Sequence, residues 1–238
     1  HYESSTFRAI YTEVFTSVAY IGFNTVSEQR LAENIFGRRM SPHGIISAGI
    51  NAVADADWVD VKEKYNLPEE YLLYVGRIDK GKLNHIVQYF LRYKAKYTSS
   101  KLKFVLVGGL FSAPVSHSDL IYTGFVSENE KYAIIRHAKI MVNPSKFESL
   151  SLILLEGMYL GKPMLVNGKC EVLKEHCSRS GKAALAYWNK NDFISKLASL
   201  EISSELRMEM GRKGKVYVET YYSWSVIMER LKKAIESV

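Results

Sequence analysis

The feature that most constrains this chain is a recurring pair of patterns: short runs apolar throughout, each closed by glycine or a polar residue, alternating with helically spaced stretches. Tyr71–Val75 ends at Gly76, and 102–107 ends at Gly108 and Gly109; further apolar runs occupy 120–122, 140–142 and 164–166. Between them, Ile86, Phe90, Tyr93 and Tyr97 mark one face of a helix over 86–97. Residues 128–137 and 151–160 also read as helices, the second stopped by Gly161 and Pro163. Strands separated by helices imply βαβ units and a parallel sheet, and strands without polar alternation imply that both sheet faces are covered. The expected fold class is therefore α/β, with ligand chemistry beyond the C-terminal strand ends. That places Gly76 and Arg77, Gly108 and Gly109, Tyr122 to Gly124, and Pro144 to Glu148 along one rim.

The flanks read differently. Helices are expected over 7–18 and 28–36, the latter capped by Ser27, with strands over 19–24 and 45–50. A helix is expected over 58–65, two more over 192–200 and 204–217, and a terminal amphipathic helix over 223–238. Residues 1–50 thus read as a partial domain and 51–220 as the main α/β domain, with 221–238 returning toward the first part. The opening residues, His1 to Glu3, carry no start methionine and no signal-peptide pattern, so the chain reads as a fragment or a processed form.

Hydrophobic residues make up 47% of the 238 and charged residues 24%, which excludes global disorder and supplies a core. No stretch approaches the roughly 18 apolar residues of a membrane span. Two cysteines, Cys170 and Cys177, make no disulfide framework and no CxxC motif, and they read as reduced thiols of a cytoplasmic protein. The net charge of +7 favours an anionic partner and is compatible with peripheral contact at the cytoplasmic membrane face. Without aromatic residues interleaved among the basic ones, nucleic acid is not the expected partner.

Two constellations carry chemistry. In the first, Glu148 precedes a helix and Glu156 lies inside it, at most roughly 12 Å away along the axis. Backbone amides of Leu150 to Leu152 at that helix start suit a pyrophosphate, and carboxylates suit sugar and ribose hydroxyls. In the second, Gly76, Arg77 and Lys82 follow a strand and precede a helix. Arg offers a fork and Lys a point charge to a diphosphate. Each alone is compatible with ordinary surface; together they put two cations and two carboxylates on one rim.

The order Gly76-Arg77, Lys82, then Gly124-Phe125-Val126, then Glu148 and Glu156 resembles the retaining glycosyltransferases of family 4, with the GT-B fold. The runs 122–126, 143–145, 156–163 and 222–224 match that pattern, and the resemblance covers about residues 20–236. It implies the Rossmann-like, nucleotide-sugar-binding C-terminal domain, with a remnant of the acceptor-side domain. Arg77 and Lys82 would hold the donor diphosphate and stabilise its leaving charge, and Glu148 would contact the donor sugar; these three form the implied catalytic set. Gly76, Ser149, Leu150, Ser151 and Leu152 would present backbone to donor, Glu156 would bind ribose, and Val126 and Lys131 would lie near the base. Such enzymes transfer hexoses with retention of configuration, to a glycan, lipid or small-molecule acceptor, with neither metal nor other cofactor. This sequence departs from the pattern at Leu83, where glycine is usual, and at Ser149 to Ser151, which replace a Gly-Phe-Gly-like run. Readings kept open are a donor-binding module without transfer, a sugar-nucleotide epimerase of similar architecture, and, last, a basic nucleic-acid binder.

Other residues fit less well. Asp55 and Asp57 match a D-x-D pattern but lead into a helix, where capping is the simpler role. His43, His85, His117, His137 and His176 lack metal-ligand spacing. Among them His117 follows Gly108 and Gly109, within reach of the rim, and Glu171 follows a strand there. Trp224, Tyr221 and Tyr222 read as packing between domains.

Overall fold

The computed structural model describes residues 4–37, 40–51 and 57–238, with only the backbone at Lys80, Lys82 and Asn84. The chain divides into two compact units, one of residues 1–51 with 220–238 and one of 52–219.

In the first unit, strands β1 (Ile21–Phe23) and β2 (His43–Ile45) pair in parallel, accompanied by α1 (Ser5–Ser17), α2 (Val26–Phe36) and α10 (Trp224–Glu236). The cap of α2 is Thr25, which accepts from Glu28 N, rather than the expected Ser27. Thr25 keeps extended backbone angles while Ser27 is already helical, and Glu28 accepts from Asn24 N. Trp224 lies against Gly49 and donates to Asn51, all within this unit. Tyr222 is buried, whereas Tyr221 and Trp224 keep substantial exposed surface.

The second unit is built on six parallel strands in the order β5-β4-β3-β6-β7-β8. They are β3 (Tyr71–Val75), β4 (Lys103–Val107), β5 (Leu120–Gly124), β6 (Ile140–Asn143), β7 (Met164–Asn167) and β8 (Ala184–Tyr187). Its helices are α3 (Trp58–Tyr65), α4 (Lys80–Lys96), α5 (Glu128–His137), α6 (Leu152–Tyr159), α7 (Glu171–Arg179), α8 (Lys190–Ile202) and α9 (Ser204–Tyr221). Strands β3, β6 and β7 are buried almost end to end, as sheets covered on both faces require. On one face α4 packs against α8, where Tyr89 meets Phe193 with ring centroids 6.0 Å apart. On the other, α5 meets α6 through Lys131 and Glu156, and α6 meets α9 through Met158 and Gly214. Helix α7 joins that face through His176 and Tyr217.

Three expectations need correction. Helix α4 begins at Lys80, six residues before the expected start, because Gly81 continues the helix instead of ending a turn; Leu83, 3% exposed, is one of its core residues. Helix α6 begins at Leu152, one residue late, because Ser151 takes a left-handed conformation at φ 69. Strand β8 and helix α7 were not expected. Alanine-rich β8 carries little strand propensity and forms by pairing with β7, and buried His176 completes an apolar stripe that a polar reading of histidine hides.

Helix α9 approaches the end of α6 so closely that a Cβ at Gly211 would collide with the Gly161 carbonyl. Gly211→Ala should therefore cost about 2 kcal/mol or more in urea unfolding. Gly181→Ala, at φ 62 with open space around it, should cost about 1 kcal/mol from backbone strain alone. Equal losses would show that close approach is not what fixes α9.

Candidate functional site

Taken from β3 outward, the strand order reverses direction between β3 and β6. The helix after β3 leaves on one face and the helix after β6 on the other, so a crevice opens above this switch point. It is an open cleft of roughly 440 Å³, lined by Arg77, Asp79, Gly81 and His85 on one wall and Pro144 to Phe147 on the other. Sites for small organic ligands fall in this size range.

Tyr74 pins the first wall. Its hydroxyl donates to the Arg77 carbonyl at 2.9 Å. Burial first, then the charges of Asp79 and Glu148, hold its phenol above the usual range. Arg77 Nε donates to Asp79 at 2.9 Å while its side chain stays 65% exposed, which aims the guanidinium without removing it from solvent. Lys82 lies in the first turn of α4; its side chain is outside the described residues, as is Asp55 of the D-x-D pattern. Asp57 caps α3 by accepting from Val59 N.

The second wall is folded by two asparagines at the ends of neighbouring strands. Asn143 Oδ1 accepts from Ser145 N, and its amide donates to Ser151 Oγ at 2.8 Å and to Glu148 at 3.4 Å. Asn167 repeats the device: Oδ1 accepts from Lys169 N, and its amide donates to the Pro144 carbonyl at 3.1 Å. Both are almost fully buried, where an unsatisfied amide would cost about 1–3 kcal/mol. The bond to Asn143 also offsets part of the roughly 1–3 kcal/mol that a left-handed serine costs. His176 holds the far end of the loop: Nε2 donates to the Leu150 carbonyl at 2.9 Å, which leaves Nδ1 to accept from Tyr217 at 3.0 Å.

Helix α6 therefore starts beyond Ser151, and Leu150 is anchored through its carbonyl and a buried side chain. The backbone amides that open α6 are those of Leu152 and Ile153, ahead of Leu154, which donates to the Ser151 carbonyl. Ser149 is exposed in the loop before it. Glu156 accepts from Lys131 Nζ at 2.9 Å and from Tyr132 at 3.0 Å, so Lys131 and Glu156 form one pair on the α5–α6 side. Burial and Glu156 hold the Tyr132 phenol above its usual range. Gly76 begins the Arg77 turn, and half-buried Val126 follows β5 next to the α5 cap, Ser127.

Several residues of the site were not singled out by sequence: Asn143 and Asn167 as loop anchors, His176 as a clamp, and His85 and Lys146 as lining. One signal was readable, since two apolar strands both end in asparagine. Glu171 opens α7 and pairs with Lys174 at 2.7 Å, outside the lining, and His117 accepts from Asp119 N. His137 stacks on Trp58, and His43 bonds Ser41 and Glu33. Among the described residues no cluster of three potential metal ligands occurs, and no helix is long and apolar enough to cross a membrane.

The sequence model of the family described as glycosyl transferases group 1 matches residues 69–201, more than half of the chain. An alpha-D-kanosaminyltransferase from Streptomyces kanamyceticus is 28% identical over 142 residues, covering 52% of this chain and 36% of that protein. The alpha-1,3/1,6-mannosyltransferase ALG2 of Saccharomyces cerevisiae is 22% identical over 186 residues, covering 75% and 33%. The chain thus spans about a third of the length of these relatives. Anabaena HepE, solved in complex with UDP and glucose, superposes with a TM-score of 0.79 at 11% identity, covering 99% of this chain and 68% of that one. Sucrose-phosphate synthase from Thermosynechococcus elongatus gives 0.76 at 16% identity, covering 99% and 64%. At such identities the likeness is one of fold, and it is the expected α/β fold of the GT-B type.

The His176 clamp has a pH signature. Burial, opposed by the bond to Leu150, depresses the imidazole to a pKa of about 4. A depressed pKa means that the folded state binds fewer protons than the unfolded one between about 6.5 and 4. Its stability contribution is complete above pH 6.5 and should fall by about 3 kcal/mol in total as pH drops to 4. Urea unfolding across this window should show a flatter slope for His176→Gln than for the wild type. Parallel slopes would remove His176 as the cause.

Proposed function

Because the chain belongs to the glycosyl transferases group 1 family, we propose that its crevice binds a nucleoside-diphosphate sugar for transfer, with retention of configuration, to an acceptor. The observation that carries this reading is the meeting of the Arg77 turn and the Glu148 loop on opposite walls of one switch-point crevice. In this reading the diphosphate lies between Arg77 and the first α6 turn, with Lys82 as a second cation. Glu148 accepts from hydroxyls of the transferred sugar. Glu156 accepts from ribose, exchanging hydrogen bonds with Lys131 and Tyr132, and the base lies toward Val126. No protein nucleophile is required: the arginine fork and the fixed amides stabilise charge as the sugar–oxygen bond breaks, in a site arranged before substrate arrives. The acceptor in this reading is a glycan, a lipid or a small molecule.

UDP-, GDP- and ADP-glucose and GDP-mannose should be compared by thermal shift and calorimetry, since a ligand that binds only the folded state raises Tm. One nucleotide series should stabilise the chain. Arg77→Ala and Glu148→Gln should weaken binding of that sugar nucleotide by about 10- to 100-fold, as expected for lost charge-assisted hydrogen bonds. Wild-type affinity in Arg77→Ala, or no binding by any series, would defeat the proposal. NMR of the donor alone in the same samples separates binding from hydrolysis and from epimerisation.

A further inference from the structure

The two ends of the crevice differ in charge. Toward the α5–α6 face, Lys131 is neutralised by Glu156 at 2.9 Å, with Glu128 at 3.9 Å. Toward the α4 face, Lys146 lines the wall after β6 and Lys169 follows β7. Neither ammonium makes an ion pair with a described residue. The carboxylates nearby are engaged: Asp79 with Arg77, Glu171 with Lys174, and Glu148 with the Asn143 amide. His85 lines the same cleft as Lys146, and Lys169 follows the end of the neighbouring strand. Burial first, then Lys146, then Lys169, hold its imidazole below the usual range, so at neutral pH the ring offers a hydrogen bond without further charge.

Both lysines are exposed and neither pairs with a described carboxylate, so this end of the rim carries a local excess of positive charge that no described side chain offsets. A bound anion would. The donor diphosphate does not obviously supply it, because in the reading above it lies at Arg77 and α6 with its nucleoside toward Glu156, on the opposite face. Strand β7 is two places from β3, about 10 Å along the rim. What extends toward Lys146 and Lys169 is then whatever lies beyond the diphosphate.

We infer that Lys146 and Lys169, with His85 lining the same cleft as Lys146, form a subsite for a carboxylate or phosphate carried by the transferred sugar or by the acceptor. The inference rests on the donor reading and narrows its substrate class to acidic partners.

The test uses pairs of ligands that differ in one anionic group. In the donor arm, calorimetry compares UDP-glucose with UDP-glucuronate, and GDP-mannose with GDP-mannuronate. In the acceptor arm, with saturating UDP or GDP, it compares glucose with glucose 6-phosphate and mannose with mannose 6-phosphate. In one arm the acidic ligand should bind at least about tenfold tighter than its neutral counterpart, and that arm identifies the carrier. In the double variant Lys146→Ala/Lys169→Ala the ratio should fall to within about twofold of one, whereas Lys174→Ala, which removes a lysine already paired, should keep it. A nucleotide that binds with no acidic preference in either arm, or a preference that survives the double variant, overturns the subsite and leaves the donor reading standing. Failure of every nucleotide to bind overturns both.

Discussion

The structure depends on one topological fact: β3 lies in the middle of its sheet, and the chain leaves it toward β4 and β5 before returning to β6. Right-handed crossovers then send α4 to one face and α5 and α6 to the other. No described residue of the second unit fills the space above the β3–β6 junction, and the residues that follow those two strands become its walls. Arg77 and the Pro144–Phe147 loop, far apart in sequence, line one cleft because the strands before them are hydrogen-bonded neighbours.

That junction makes a crevice, and buried polar groups make it a defined one. The loop from Pro144 to Ser151 has little apolar material of its own to hold it. Asn143 grips it near Glu148 and Ser151, Asn167 grips its start, and His176 grips Leu150 from α7. Each anchor sits in low dielectric, where a lost partner is expensive, so the loop has few alternative conformations. The same anchors hold Ser151 in a left-handed conformation that glycine would adopt freely, and that serine sets the first turn of α6. In the proposed reading rigidity at this position matters, because dipoles that need not reorganise stabilise developing charge most effectively.

Charge is distributed unevenly on this frame. One end pairs Lys131 with Glu156; the other leaves Lys146 and Lys169 without a described counter-ion. The overall excess of seven positive charges conveys none of this, since some lysines of the second unit pair locally along helices, as Lys196 does with Asp192 and Lys213 with Glu209, while others stand in solvent without a described counter-ion. Such exposed pairs contribute little to stability.

Amino-acid pattern alone determined the elements that carry strong local signals. Strand β3 and helices α3 and α5 have the expected bounds, because an unbroken apolar run stops at Gly76 and because Asp57 and Ser127 cap their helices. Parallel strands with apolar faces also made it legible that Arg77 and Glu148 stand on the same rim. Weak signals were lost: β8 is half alanine, α7 hides its stripe behind a histidine, and Gly81 inside α4 looks like a turn. Tertiary structure alone decided strand order, and with it the place of the crevice and the opposite faces to which Glu156 and His85 belong. The physical reason is that every central strand is equally apolar, so no strand's composition selects its neighbour; the choice is made by crossovers and by buried amides that find partners only once the chain has folded.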